Sequence, residues 1–254
     1  MKLKNKILLK FDGHSYNGWQ VQTDPVVTIQ SEVNKALSTI YKEKISSIGS
    51  GRTDAGVHAL KYFVVYSEPF QIPASAIIKA LNSHLSGAIR AYSCENVDDS
   101  FRPTNDALKK EYRYLFTVAD IPSPFQQKYM LNITYALNIE LMRAACDLFV
   151  GSHDFKNFHC KGSEPTSTQR EIFSCSIEEG SGDEHGILPN HYYLKIVGNG
   201  FLKQMVRLIM GTLISVGREK ISLDQVRASL NLEIDGHLAS VAPPNGLYKF
   251  DITY

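Results

Sequence analysis

Apolar residues recur along this chain at two periods, and the switches between those periods mark out its elements. Lys6 to Phe11 reads as a strand, stopped by Asp12-Gly13. From Thr28 onward, Ile29, Val33, Leu37 and Ile40 recur at helical spacing, and Glu32 falls in the first turn, where the helix dipole favours a carboxylate. Lys44 to Ile48 predicts a second strand, and Tyr62 to Tyr66 a third that is mostly apolar. Pro73 opens a second helix with Ile77, Ala80, Leu81 and Leu85 on one face, and Ala88 to Val97 is a fourth strand. The order β-α-β-β-α-β is a ferredoxin-like pattern.

The rest of the chain gives a similar order. Glu111 to Ala119 predicts a strand, and Glu140 to Val150 a helix with Leu141, Met142, Ala145, Leu148 and Phe149 inward. Glu171 to Ile177 and His191 to Val197 predict strands on either side of the Gly180-Ser181-Gly182-Asp183 turn region. A long helix from about Phe201 to Val216 sets Phe201, Met205, Leu208, Thr212 and Val216 in register. Ser222 caps a further helix, Gln225 completes its capping box, and Gly246 to Tyr254 is a closing strand. The expected class is therefore α/β (α+β), with two ferredoxin-like halves, 1–104 and 105–254, meeting at Phe101-Arg102-Pro103-Thr104-Asn105. No long linker separates them, so close packing is expected, with a ligand cleft between the halves.

Composition narrows the function classes. Ordinary apolar and charged fractions in 254 residues allow a sizeable core and argue against disorder. The apolar runs are too short to span a bilayer. The basic start Met1-Lys2-Leu3-Lys4-Asn5-Lys6 is followed by Ile7-Leu8-Leu9, too short for a signal-peptide core, so no membrane association and a cytoplasmic location are expected. Cys94, Cys146, Cys160 and Cys175 have no paired metal-ligand spacing and predict reduced thiols rather than a zinc site. A net charge of +1 is not that of a global nucleic-acid binder, so an RNA partner would require positive charge gathered on one face. Lys109-Lys110 with Arg113, Lys203 with Arg207, and Arg218 with Lys220 are such clusters; taken singly, each reads as a solvated patch.

The chemistry concentrates in Gly49-Ser50-Gly51-Arg52-Thr53-Asp54-Ala55-Gly56-Val57-His58-Ala59. Its glycines disfavour helix and strand, and they let a large ligand approach the main chain. By composition alone such a stretch is a surface turn. Asp54 is the candidate nucleophile; in a cleft, desolvation raises a carboxyl pKa, so a guanidinium is needed to keep it charged. Arg52 and Arg207 are the two candidates for that role, although Arg207 alone would read as a snorkelling arginine. Tyr112 and Tyr114 alternate with Arg113 on a strand, where an aromatic can stack on a splayed base or simply fill a core. His58 reads as a residue that fixes the loop backbone rather than as a general base. His153-Asp154 has no serine or cysteine nucleophile to serve. Asp12 and Asp154 are too isolated for a metal site.

The nine residues Gly51 to Ala59 resemble the catalytic motif of the TruA family of tRNA pseudouridine synthases. The resemblance extends to Phe11-Asp12-Gly13-His14-Ser15-Tyr16-Asn17-Gly18-Trp19-Gln20-Val21-Gln22, Phe101-Arg102-Pro103 and Tyr112-Arg113-Tyr114. It continues through Gly151-Ser152-His153-Asp154-Phe155, Gly200-Phe201-Leu202-Lys203-Gln204-Met205-Val206-Arg207 and Ala242-Pro243-Pro244-Asn245-Gly246-Leu247-Tyr248, in family order. It implies a pseudouridine synthase fold with a central cleft, and a homodimeric tRNA pseudouridine synthase acting on the anticodon arm at positions 38–40. No cofactor or metal is implied. By the same resemblance Asp54 is the essential catalytic aspartate and Tyr112 stacks on the target uracil. Arg207 pairs with Asp54, Arg52 helps extrude the nucleotide, and Leu247 packs in the pocket. The match weakens between Cys160 and Thr168, at an expected surface loop. A non-catalytic RNA-binding protein on the same scaffold is the alternative, against which the intact Asp54, Arg52, Tyr112 and Arg207 argue. A metal-dependent hydrolase using Asp54 and His58 would lack convergent ligands.

Overall fold

A computed structural model describes residues 4–23, 25–121, 123–160, 162, 164–183 and 188–254. Met1, Lys2 and Leu3 of the basic start, and Lys161 and Ser163 of the expected surface loop, lie outside the described residues. The described residues form ten strands and five α-helices, a mixed α/β fold as the pattern predicts. They divide into two units, Met1–Leu108 with Lys249–Tyr254, and Lys109–Tyr248.

The first unit runs β1 (Lys4–Phe11), α1 (Ile29–Tyr41), β2 (Ile48–Gly49), β3 (His58–Ser67), α2 (Ala74–His84) and β4 (Ile89–Val97). It is completed from far along the chain by β10 (Leu247–Thr253), whose residues from Lys249 onward belong here. Its strands lie in the order β4-β1-β3-β10, with β2 also on β3. β1 is antiparallel to both its neighbours, and β2 is antiparallel to β3. Thr28 caps α1 in a reciprocal box with Ser31, so two orphan amides of the first turn are satisfied. The apolar face of α1 (Ile29, Val33, Ala36, Leu37) packs with Ile7 and Leu9 of β1, Ile77 and Leu81 of α2, and Ile89 of β4.

The expected strand over 44–48 is corrected to a loop that enters the two-residue β2. Side chains of α1 take its backbone groups in place of a neighbouring strand. Ser38 Oγ accepts from Ile45 N at 2.9 Å, Asn34 Oδ1 from Ser47 N at 2.9 Å, and Gln30 Nε2 donates to Ser47 O at 2.6 Å. With its polar groups satisfied by the helix, the segment has no need of a ladder.

The second unit runs β5 (Lys109–Val118), β6 (Leu131–Ile133), α3 (Ile139–Leu148), β7 (Gly151–Asp154), β8 (Gln169–Gly180), β9 (His191–Gly198), α4 (Met205–Gly217) and α5 (Leu223–Leu230). Its sheet order is β5-β9-β8-β7 with antiparallel neighbours, and β6 is parallel to β5. α4 starts at Met205 rather than near Phe201 because Gln204 adopts φ +63°, outside the helical region. The helix is buried on nearly every side, and Arg207 is one of its few partly exposed residues. α5 has the predicted capping box between Ser222 and Gln225. Among the described residues, no helix is long and apolar enough to cross a membrane.

Candidate active site

The Asp54 loop joins β2 to β3 and is held from above by the Gly13–Trp19 segment. Trp19 N donates to Thr53 O at 3.2 Å, Gly56 N to Tyr16 O at 3.2 Å, and Val57 N to Asp54 O at 3.2 Å. Gly18 lies against the same turn with φ +80°; a Cβ there would sit 2.3 Å from Thr53 O. Both the backbone angle and the clash exclude a side chain. Gly18→Ala should therefore destabilise the first unit by about 1–3 kcal/mol, read as a lowered Tm. A melting temperature equal to wild type would show that this contact does not hold the loop.

From below, the loop rests on buried polar groups. Ser50 N donates to Phe63 O at 2.8 Å, and Ser50 Oγ accepts from Phe63 N at 3.1 Å. Tyr62 Oη donates to Gly51 O, and Gly51 has φ +134°. Lys249 Nζ donates to Ser50 O at 2.6 Å and to Ser50 Oγ at 3.0 Å, and stands 4.7 Å from the centre of the Tyr62 ring. His58 is buried, with Nδ1 3.2 Å from Gly13 N and 3.1 Å from Asp12 Oδ1. It ties the exit of the loop to the Asp12-Gly13 turn, in keeping with a backbone-fixing histidine. The framework leaves Arg52 exposed and Asp54 partly exposed at its outer end, while Thr53 Oγ1 is buried with no hydrogen-bond partner.

The second unit carries the other expected residues. On β5, Tyr112 and Tyr114 are buried on one face, and Arg113 is turned to the other, where its guanidinium bonds Glu111 and lies 5.0 Å from the Tyr193 ring. Tyr112 makes an edge contact with Phe201, centroids 5.0 Å apart. Tyr114 Oη donates to Pro243 O at 2.7 Å; burial raises its pKa, and the nearby Arg207 charge works against that rise. Arg207 Nε donates to Ala242 O at 2.7 Å, and Ala242 N returns a bond to Arg207 O at 3.1 Å. Arg207 is therefore anchored to the segment that leads into β10, rather than snorkelling from an isolated helix. Leu247 is buried at the start of β10, and the Gly246 backbone presses on Tyr114 so closely that a Cβ would meet its ring at 2.7 Å.

Arg52 and Asp54 thus share the loop of the first unit, while Tyr112, Arg207 and Leu247 belong to the second. Sequence reasoning missed Ser50, Tyr62 and Lys249 as loop supports. The signal for Lys249 was its position two residues after Leu247, which places a lysine on the inward face of a strand. The four cysteines are free thiols, and burial with the nearby Glu68 and Glu95 charges pushes Cys94 up to about 11. Among the described residues, no three His, Cys, Asp or Glu side chains are grouped to hold a metal ion.

The family model described as tRNA pseudouridine synthase matches residues 145–254. The chain is 37% identical over 248 residues to tRNA pseudouridine synthase A of Thermoanaerobacter sp. (strain X514), covering 98% of each. It is 35% identical over 254 residues to the protein of the same name from Bacillus subtilis (strain 168), covering 99% of each. Identity to the one from Citrifermentans bemidjiense is 36% over 250 residues, 98% of this chain and 96% of that one. The chain belongs to the tRNA pseudouridine synthase A family, a family of isomerases.

Proposed function

We propose that this protein converts uridine to pseudouridine at positions 38–40 of the tRNA anticodon stem-loop, in the cytoplasm and as a homodimer, with Asp54 as nucleophile. The observation that carries this reading is the Asp54 loop. Its backbone is bonded by Trp19, Tyr16, Phe63, Tyr62 and Lys249, yet its carboxylate-bearing turn stays open to a ligand. Such a rigidly held and accessible carboxylate suits attack on an extruded nucleotide.

The reaction breaks the N1–C1′ bond of uridine and forms C5–C1′. N1 gains a proton and C5 loses one to solvent. A base inside a stem must first be unstacked, at a cost of about a few kcal/mol. Arg52 assists the extrusion and Tyr112 stacks on the freed uracil. Leu247 supplies an apolar wall, and Arg207 keeps the Asp54 carboxylate ionised against desolvation. Phosphate contacts from Lys110, on the Tyr112 face of β5, and from the exposed Lys203 position the arm.

Tritium at uracil C5 tests this directly, because each turnover releases it to water. Wild-type protein should release tritium from labelled tRNA in proportion to the uridines at these positions. Binding of that tRNA without release would favour the non-catalytic RNA-binding alternative.

A further inference from the structure

We propose that Lys249 is a positioning residue, whose ammonium clamps the Gly49-Ser50-Gly51 turn from beneath and so sets where Asp54 is presented. The proposal rests on the pseudouridine synthase reading and adds a residue to it. Lys249 is 0% exposed, whereas lysine is almost never fully buried without a partner that justifies the lost hydration. The partner here is the loop itself. Nζ reaches both the carbonyl and the hydroxyl of Ser50, and the Tyr62 ring lies within cation–π range.

Ser50 is thereby held on every polar atom. Its amide goes to Phe63 O, its hydroxyl accepts from Phe63 N, and its carbonyl and hydroxyl take the lysine. Next to it, Gly51 has φ +134°, and the space where a Cβ would stand is 3.4 Å from Nζ. Its carbonyl is fixed by Tyr62 Oη, whose ring the same ammonium faces. One buried charge thus ties two consecutive peptide groups, just ahead of Arg52 and Asp54. A plain hydrophobic core would ask for leucine or methionine at this inward strand position. A lysine is explained by what it does to the turn.

Lys249→Met leaves an unbranched apolar side chain one atom shorter and removes the charge. Relief of the buried charge and loss of the donor to Ser50 O act in opposite directions, so the melting temperature should shift by no more than about a few degrees. The kcat for tritium release should fall about 10- to 100-fold, because displacement of a reacting group by about 1 Å costs that much, with KM for tRNA within about threefold of wild type. Hydrogen exchange at residues 49–56 should quicken while α1, α2 and β4 keep wild-type protection. Lys249→Gln retains one N–H for Ser50 O and should recover part of the lost rate. It is the variant judged if the methionine protein does not fold. Unchanged kcat and unchanged loop exchange would overturn the proposal. So would failure of both variants to fold, which would make the lysine a requirement of the fold rather than of the loop. A wild type that forms no pseudouridine would refute the activity alone, since loop exchange still reports on the clamp.

Discussion

Asp54→Asn should bind tRNA as the wild type does and release essentially no tritium, a loss of about 10⁴-fold or more in kcat. The carboxamide has nearly the same shape but is not a nucleophile at neutral pH. The main chain of the turn should keep its bonds. The turn is held through main-chain atoms, Asp54 O accepting from Val57 N and Thr53 O from Trp19 N, and none of these bonds uses the carboxylate. Binding should survive because phosphate contacts, which dominate RNA affinity, come from other residues. Parallel measurement of release, tRNA affinity and Tm separates the possibilities. Release at the wild-type rate would sink the nucleophile assignment. Loss of binding together with release would mean that the loop had been disordered rather than chemically disarmed.

Arg207→Ala should be the next most damaging substitution. If the guanidinium keeps Asp54 charged in a desolvated site, its removal should lower kcat about 10²- to 10³-fold, the usual effect of losing one preorganised charged group. Arg207 also has a structural partner, since Nε donates to Ala242 O at 2.7 Å. Leaving that carbonyl unpaired should cost about 1–3 kcal/mol of stability. Arg207→Lys separates the two effects. It restores the charge without the planar fork, so part of the rate should return while the Ala242 bond is not fully rebuilt. An Arg207→Ala protein with wild-type kcat would remove this residue from the site and leave the role of Asp54 standing.

The sequence made these experiments visible because the strongest local patterns agree with the fold. The apolar period of α1, the Thr28 cap and the Ser222–Gln225 box all form where the spacing placed them. So does the alternation that buries Tyr112 and Tyr114 and turns Arg113 away. The misses have separate physical causes. The 44–48 segment has the composition of a strand, but Gln30, Asn34 and Ser38 satisfy it from the helix. α4 begins late because Gln204 takes a left-handed conformation that no composition rule anticipates. β6 and β7 span only Leu131–Ile133 and Gly151–Asp154, too short to show a period. At the candidate site, the motif pointed to Asp54 but not to the groups that hold its loop. Ser50 and Tyr62 lie near the loop in sequence, whereas Lys249 is 199 residues from Ser50, and nothing local links the two.

That separation bears on how the protein matures on the ribosome. Residues 109–248 are made after most of the first unit has emerged and before Lys249 exists. At the usual elongation speed of about 5–20 residues per second, the interval is about 7–28 s. Throughout it the nascent first unit can assemble α1 and α2 on β1, β3 and β4 and bond Ser50 to Phe63, but the Lys249 support beneath its carboxylate turn is missing. Translation thus begins the first unit early and finishes it late, so the Lys249 bonds to Ser50 can form only once β10 has been made.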